Sequence, residues 1–126
     1  MSHLLLVGFF GAVGATLRYI TTIGCARWFG EDFPYGTLIV NVAGCFMLAF
    51  VGELTIKKAI PPHWQVAFGT GLLGALTTFS TFGFDTVRKL ESGQWQHAIL
   101  NVGANVCLGL VAVYLGLLAV RGILGD

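Results

Sequence analysis

Charged residues are scarce in this sequence. Only 10% of its 126 residues are Asp, Glu, Lys or Arg, whereas 56% are hydrophobic. A water-soluble domain carries about 25% charged residues, so the shortage excludes a soluble domain of this size. We expect a membrane protein whose main environment is the lipid bilayer, and we expect no nucleic-acid partner.

Proline is also rare, with three residues in the chain, and no polar linker divides the sequence. Four long apolar segments remain, each near the roughly 20 residues that a helix needs to cross the hydrocarbon core. They run from Leu4 to Ala26, Gly36 to Ile56, Trp64 to Val87 and Gln96 to Val120. The first segment is too long for a cleaved signal peptide. The pattern predicts an all-α membrane protein with four transmembrane helices in a single domain, residues 1–126.

The sequence lacks paired cysteines and clusters of metal ligands. Cys25, Cys45 and Cys107 lie singly in predicted spans, without a C-x-x-C pair. The three histidines lie near the predicted membrane surfaces and show no ligand or nucleophile spacing. We therefore interpret the cysteines as packing residues and expect no enzyme activity.

An orientational bias is missing as well. The positive-inside rule counts Lys and Arg near the ends of the spans, and with four spans both termini lie on one side of the membrane. That side carries Lys57, Lys58 and Arg121, and the other side carries Arg27, Arg88 and Lys89. This balance predicts a chain that inserts in both orientations and forms an antiparallel, dual-topology homodimer about a two-fold axis in the membrane plane. The alternative is one orientation, set by the first helix or by a partner.

Amide side chains do occur inside the predicted spans. Asn41 lies with Thr37 on one face of the second predicted helix, and Asn101 and Asn105 lie on one face of the fourth. An amide without a hydrogen-bond partner costs on the order of 2–7 kcal/mol in apolar surroundings. These side chains either join helices or line a wet path. Three amides on converging faces favour the path.

Arg18 is the one basic residue inside an apolar run. It lies about ten residues, or some 15 Å, before the predicted end of its helix, so it does not easily reach the membrane surface. A buried cation marks a polar cavity, and a positively charged cavity attracts anions. Glu53 and Asp85 are expected within a turn or so of a helix end, so the sequence lacks the central acid of a proton-coupled cation exporter.

The segment TTFSTF, from Thr77 to Phe82, places four hydroxyl groups and two rings in the middle of the third apolar segment. Glycine and β-branched hydroxyl residues weaken a helix at this position, and the pattern predicts a broken third helix. Such a helix exposes free carbonyls at one end of the break and free N–H groups at the other. In an antiparallel dimer, carbonyls of two chains can converge on a central cation, and the positive edges of Phe rings can attract an anion.

Three segments together resemble one family. They are GALTTFSTF (Gly74 to Phe82), GATLRY (Gly14 to Tyr19) and GTLIVNVAG (Gly36 to Gly44), and they look like segments of the Fluc (CrcB) family of fluoride channels. The likeness covers essentially the whole chain. It implies an antiparallel homodimer in the bacterial inner membrane with two anion pores, which export fluoride passively and lower its cytoplasmic concentration. It also implies a structural sodium ion (Na+) at the dimer axis.

The resemblance further implies roles for individual residues. The main-chain carbonyls of Gly74 and Thr77 would hold the sodium ion, and the rings of Phe79 and Phe82 would line the pore. The other residues of the implied anion pathway are Asn41 as an amide donor, Ser80 and Thr81 in a hydroxyl track, Arg18 as a vestibule cation, and Thr37, Asn101 and Asn105.

Two other functions fit parts of the pattern. A small dual-topology multidrug or cation exporter has a similar size and helix count, but it needs the central carboxylate that the sequence lacks. An inert helical assembly factor needs no broken helix. The chain also differs from the Fluc pattern at Ala75, where a second Gly is common, and at Asp85, where Glu is common. Asn101 and Asn105 stand where relatives have Tyr, His or Ser.

Overall fold

The computed structural model describes residues 2–125, with side chains from residue 3. Five helical elements follow one another: α1 (Ser2–Phe29), α2 (Tyr35–Ile56), α3 (residues 62–76), α4 (Phe79–Glu91) and α5 (Trp95–Leu124). Three consecutive stretches form α3, namely Pro62–Trp64, Gln65–Leu73 and Gly74–Leu76.

Four segments of the described residues are long and apolar enough to cross a membrane: His3–Phe29, Tyr35–Ile56, Pro62–Glu91 and Trp95–Leu124. Large apolar side chains are exposed along them, as the lipid-facing surface of a membrane protein requires. The predicted all-α membrane fold with four spanning helices is therefore confirmed.

Glycines end two of the helices sharply. Gly30 follows α1 with a φ of 79°, and its N–H bonds the carbonyl of Ala26 at 3.0 Å. Gly93 follows α4 with a φ of 76°, and the next residue, Gln94, donates to the carbonyl of Lys89 at 2.8 Å. Both are left-handed helix ends, in which glycine has no Cβ to clash. The resulting short turns make the successive spans antiparallel neighbours.

Close packing of the spans depends on small residues. The main contacts pair α2 with α5 and α1 with α3. A Cβ at Gly14 of α1 would overlap the carbonyl oxygen of Leu72 in α3, and a Cβ at Gly116 of α5 would lie 2.5 Å from the carbonyl oxygen of Phe46 in α2. Van der Waals contact replaces the hydrophobic effect between helices in lipid, so these glycines allow the two helix pairs to form.

The stretch Gln65–Leu73 is a π-helix, which sequence reasoning did not predict. Two of its own residues are glycines in close contact with neighbouring groups. A Cβ at Gly69 would lie 2.8 Å from Nε2 of Gln65, and a Cβ at Gly71 would lie 3.0 Å from Cβ of Phe10 in α1. Glycine at these positions lets the wide turn pack closely on itself and on α1. π-Helical turns are rare and often lie near functional sites.

The chain is extended between α3 and α4. Thr77 has φ −77° and ψ 154°, and Thr78 has φ −152° and ψ 114°. Extended residues cannot continue the i to i−4 hydrogen bonds, so the last carbonyls of α3 and the first N–H groups of α4 are left without helical partners. These two residues therefore position the main-chain polar groups of the candidate site.

Asp85 does not lie where the sequence suggested. Glu53 is in the last turn of α2, as expected, but Asp85 lies well inside α4, which ends at Glu91. The separation is about 9 Å along the helix axis. The expectation for Asp85 is wrong because α4 continues through Arg88 and Lys89, beyond the end of the apolar run.

Candidate functional site

The site is built around the main-chain groups of Thr78. Its N–H donates to Oδ1 of Asn41 at 2.8 Å, and Nδ2 of Asn41 donates to its carbonyl at 3.2 Å. The side chain of Asn41 thus replaces the helical partners that Thr78 lacks, and a buried main-chain group requires such a partner. Asn41 in α2 holds the extended residue in place.

A cavity of about 300 Å³ lies beside this pairing. The predicted pathway residues that line it are Asn41, Asn105, Phe79 and Phe82, together with Thr77. The centroids of the two phenyl rings are 5.5 Å apart, with an angle of 52° between the ring planes. Nδ2 of Asn41 also donates to Oδ1 of Asn105 at 2.9 Å. The structure therefore brings two amides and two rings into one cavity, which we call the ring cavity.

The hydroxyl of Thr78 caps the start of α4. It accepts the N–H of Thr81 at 3.2 Å and donates to the hydroxyl of Thr81 at 3.0 Å, and the hydroxyl of Ser80 lies 3.3 Å from it. Sequence reasoning did not name Thr78 as a pathway residue. Threonine is a preferred residue directly before the start of a helix, and this capping signal could have found it.

A second cavity, of about 250 Å³, lies next to this group of hydroxyls. It is lined by Thr81, Thr37 and Asp85, and by residues of the connection between α1 and α2 such as Glu31. The hydroxyl of Thr37 donates to Oδ2 of Asp85 at 3.4 Å. We call it the acidic cavity. Thr78 lines the ring cavity and Thr81 lines the acidic cavity, so their hydroxyl contact joins the two.

The remaining predicted residues lie outside both cavities. Asn101 is 0% exposed and donates to Oγ1 of Thr86 at 3.0 Å. Arg18 is half-buried on α1. Gly74 and Ser80 are exposed. Gly74 begins the last stretch of α3, where a Cβ would meet only the carbonyl oxygen of Gly69, at 3.5 Å.

Opposite partial charges meet where the chain is extended. The C-terminal end of α3 presents carbonyl oxygens, and the N-terminal end of α4 presents N–H groups, as the helix dipole requires. Residues 2–125 contain no cluster of His, Cys, Asp or Glu side chains that could hold a metal ion. Within this part of the chain, an anion would be attracted to the start of α4.

The sequence of the chain has known relatives. The model of a family described as CrcB-like protein, Camphor Resistance (CrcB), matches residues 5–117. The chain belongs to the CrcB family. This result confirms the likeness found in the sequence motifs. The matched region of this CrcB family member includes every residue named above in the two cavities.

Three similar proteins carry the name "Fluoride-specific ion channel FluC". They come from Shewanella frigidimarina, Shewanella baltica strain OS155 and Shewanella woodyi, and they are 48%, 47% and 42% identical to the chain. Each alignment covers 116 residues, which is 92% of this chain and 94% of the relative. The match to these CrcB relatives thus extends over all four spans.

Proposed function

We propose that the chain is a fluoride-selective ion channel of the bacterial inner membrane, which lets fluoride leave the cell passively and so lowers its cytoplasmic concentration. The observation that supports this most is the ring cavity, where two amides and two phenyl rings lie beside the positive end of α4. The names of the similar proteins support fluoride as the ion. The family is one of ion channels, so no reaction is catalysed.

The ring cavity would hold the partly dehydrated anion. A small anion loses its water only where other donors replace it, and Asn41 and the first N–H groups of α4 can supply them. The rings of Phe79 and Phe82 lie next to each other and can turn their positive edges to the ion. The cavity walls are mostly apolar, and wherever they exclude bulk water, each of these weak contacts is stronger.

The hydroxyls would carry the ion onward to the acidic cavity. Ser80 and Thr81 surround the hydroxyl of Thr78, and Thr37 lies beyond them with Asp85. Conduction requires that binding be weak enough for release. The negative charge of Asp85 at the far end of the hydroxyl group disfavours tight anion binding there. Arg18, half-buried on α1, would attract anions toward the entrance.

We further propose that two copies pair as an antiparallel homodimer. The ring of Phe79 is 82% exposed on the single chain although it lines the ring cavity, and a second copy would cover it. The equal Lys and Arg counts on the two faces fit insertion in both orientations. Labelling of a single introduced cysteine near either terminus, in a cysteine-free background, should then occur from both sides of the membrane. One orientation in all molecules would contradict the dual topology.

A sodium ion at the dimer axis is a related proposal. The last turn of α3 ends in the extended Thr77, so carbonyls there, including those of Gly74 and Thr77, can face a cation. Main-chain oxygens suit a hard monovalent ion. Thr77→Val keeps the side-chain shape and should leave sodium binding nearly unchanged. Gly74→Val should weaken it, because the branched side chain extends beyond a Cβ that already contacts the carbonyl oxygen of Gly69 at 3.5 Å and so shifts the main chain. Equal binding in both variants, measured by sodium titration of dimer stability, would contradict the proposed ligands.

Fluoride efflux from liposomes tests the main proposal. Purified protein in liposomes loaded with potassium fluoride should release fluoride, measured with a fluoride electrode, when valinomycin balances the charge. Chloride-loaded liposomes should release little. A multidrug or cation exporter would need a proton gradient and would not conduct fluoride, so release no faster than from protein-free liposomes would refute the channel.

A further inference from the structure

A continuous chain of hydrogen bonds links three helices behind the ring cavity. It begins at the N–H of Thr78, passes through the amides of Asn41 in α2 and of Asn105 and Asn101 in α5, and ends through Thr86 at the carbonyl of Phe82 in α4. The donor-to-acceptor distances are 2.8, 2.9, 2.9, 3.0 and 2.8 Å in this order. The chain thus starts and ends at residues that line the ring cavity.

Three main-chain groups fix the direction of every bond in this amide chain. The N–H of Thr78 can only donate, so Asn41 must turn its oxygen to it and its Nδ2 to Asn105. The carbonyl of Asn101 can only accept, and Nδ2 of Asn105 donates to it at 2.9 Å. The carbonyl of Phe82 can only accept, so the hydroxyl of Thr86 donates there and accepts from Asn101. All three constraints agree, and each amide has one orientation.

We propose that Asn101 is a positioning residue of the ion pathway. Its side chain reinforces the orientation that main-chain groups give Asn105 and Asn41, and it anchors the main chain of Phe82 through Thr86 without touching the ion. Asn101 is 0% exposed and does not line the ring cavity, whereas Asn41 and Asn105 do. The inference rests on the proposed fluoride conduction and assigns the part that one side chain plays in it.

The orientation matters because the amide of Asn41 has few free donors. One N–H of its Nδ2 serves Asn105 and the other makes the longer, 3.2 Å bond to the carbonyl of Thr78. An anion in the ring cavity can take over that longer bond. If Asn105 turned, its nitrogen would face the nitrogen of Asn41, donor against donor. Asn41 could then bond Asn105 only by turning its oxygen away from the N–H of Thr78, and the oxygen would no longer be fixed on the main chain. A carbonyl oxygen facing the cavity repels an anion, so the fixed orientation favours anions.

Three variants test the proposal. Asn101→Leu is close to isosteric and removes both bonds of the amide. Thr86→Val removes the anchor of Asn101 at a site that lines neither the ring cavity nor the acidic cavity, and Thr86→Ser restores the hydroxyl. Loss of one or two neutral hydrogen bonds corresponds to roughly a three- to thirtyfold change in an equilibrium. We expect fluoride efflux to fall by about tenfold in Asn101→Leu and about threefold in Thr86→Val, with Thr86→Ser like the parent.

The readouts are the efflux rate per folded molecule and the ratio of fluoride to chloride release, with folded protein quantified by size-exclusion chromatography. A merely structural role would lower the yield or the unfolding temperature and leave both readouts unchanged. Parent-like rate and ratio in Thr86→Val would overturn the proposal even if Asn101→Leu did not fold. Failure of the parent protein to release fluoride would instead reject the channel function, so the two failures are distinguishable.

Discussion

Gly44 and Thr77 form a second contact, besides that of Asn41 with Thr78, through which α2 fixes the extended residues. Replacing Gly44 tests this contact. A Cβ at Gly44 would overlap Cγ2 of Thr77, whose hydroxyl is held on the carbonyl of Leu73 at 2.9 Å. Carbon atoms in contact prefer roughly 3.5–4.0 Å, so Gly44→Ala must displace Thr77 by more than about 1 Å or open the α2 contact.

The expected cost follows from two opposing terms. Overpacking a tight contact costs about 1–3 kcal/mol, and Gly→Ala in a helix gains about 1 kcal/mol. Gly103→Ala in α5 is the matched control, because a Cβ there meets nothing within 4 Å and should bring the gain without the cost. We therefore expect Gly44→Ala to be less stable than Gly103→Ala by about 1–3 kcal/mol.

A second substitution, at Thr77, should compensate for the overlap in Gly44→Ala. Thr77→Ser removes Cγ2 and keeps the hydroxyl, so the double variant Gly44→Ala with Thr77→Ser should recover stability. The double-mutant cycle isolates this contact from other effects of each change. Because Thr77 adjoins the ring cavity, fluoride efflux should fall in Gly44→Ala and return in the double variant.

Thermal unfolding in detergent and the liposome assay measure both quantities on the same preparations. If Gly44→Ala matched Gly103→Ala in stability and the parent in efflux, the contact would not hold the extended residues. The same conclusion would follow if Thr77→Ser failed to restore either quantity.

Other substitutions test the rings and an ion pair. Phe79→Ile should sharply lower fluoride efflux, and Phe82→Ile should lower it less. An edge contact is worth about 1 kcal/mol, so a loss beyond about tenfold would mean that the ring also shapes the path. Unchanged efflux in both variants would contradict the ring-edge contact. Arg121→Met should lower the unfolding temperature more than Glu53→Gln, because the carboxylate is only 10% exposed and its partner at 3.5 Å is 46% exposed. Arg121→Met leaves the buried carboxylate of Glu53 without this ion pair, which costs roughly 1–3 kcal/mol. Equal shifts of the unfolding temperature in the two variants would contradict this prediction.

Part of the site could be predicted because its residues are adjacent in sequence. TTFSTF contains the capping threonine, both rings and the hydroxyls within a few positions, so these chemical groups can be identified from the sequence of one segment. The partners of that segment come from far along the chain. Asn41 bonds Thr78, which is 37 residues away in the sequence, and it also bonds Asn105, which is 64 residues away. No local pattern specifies which atoms face each other.

The number of spans and the bilayer setting were determined by the sequence alone, because each apolar run is long enough to match the thickness of the hydrocarbon core. The tertiary structure decided the rest. It placed Asp85 beside Thr37 in a cavity, widened Gln65–Leu73 into a π-helix against small residues, and buried Asn101 behind the ring cavity. Each of these depends on the rotation and axial position of one helix against another, and those follow from side-chain packing between distant segments.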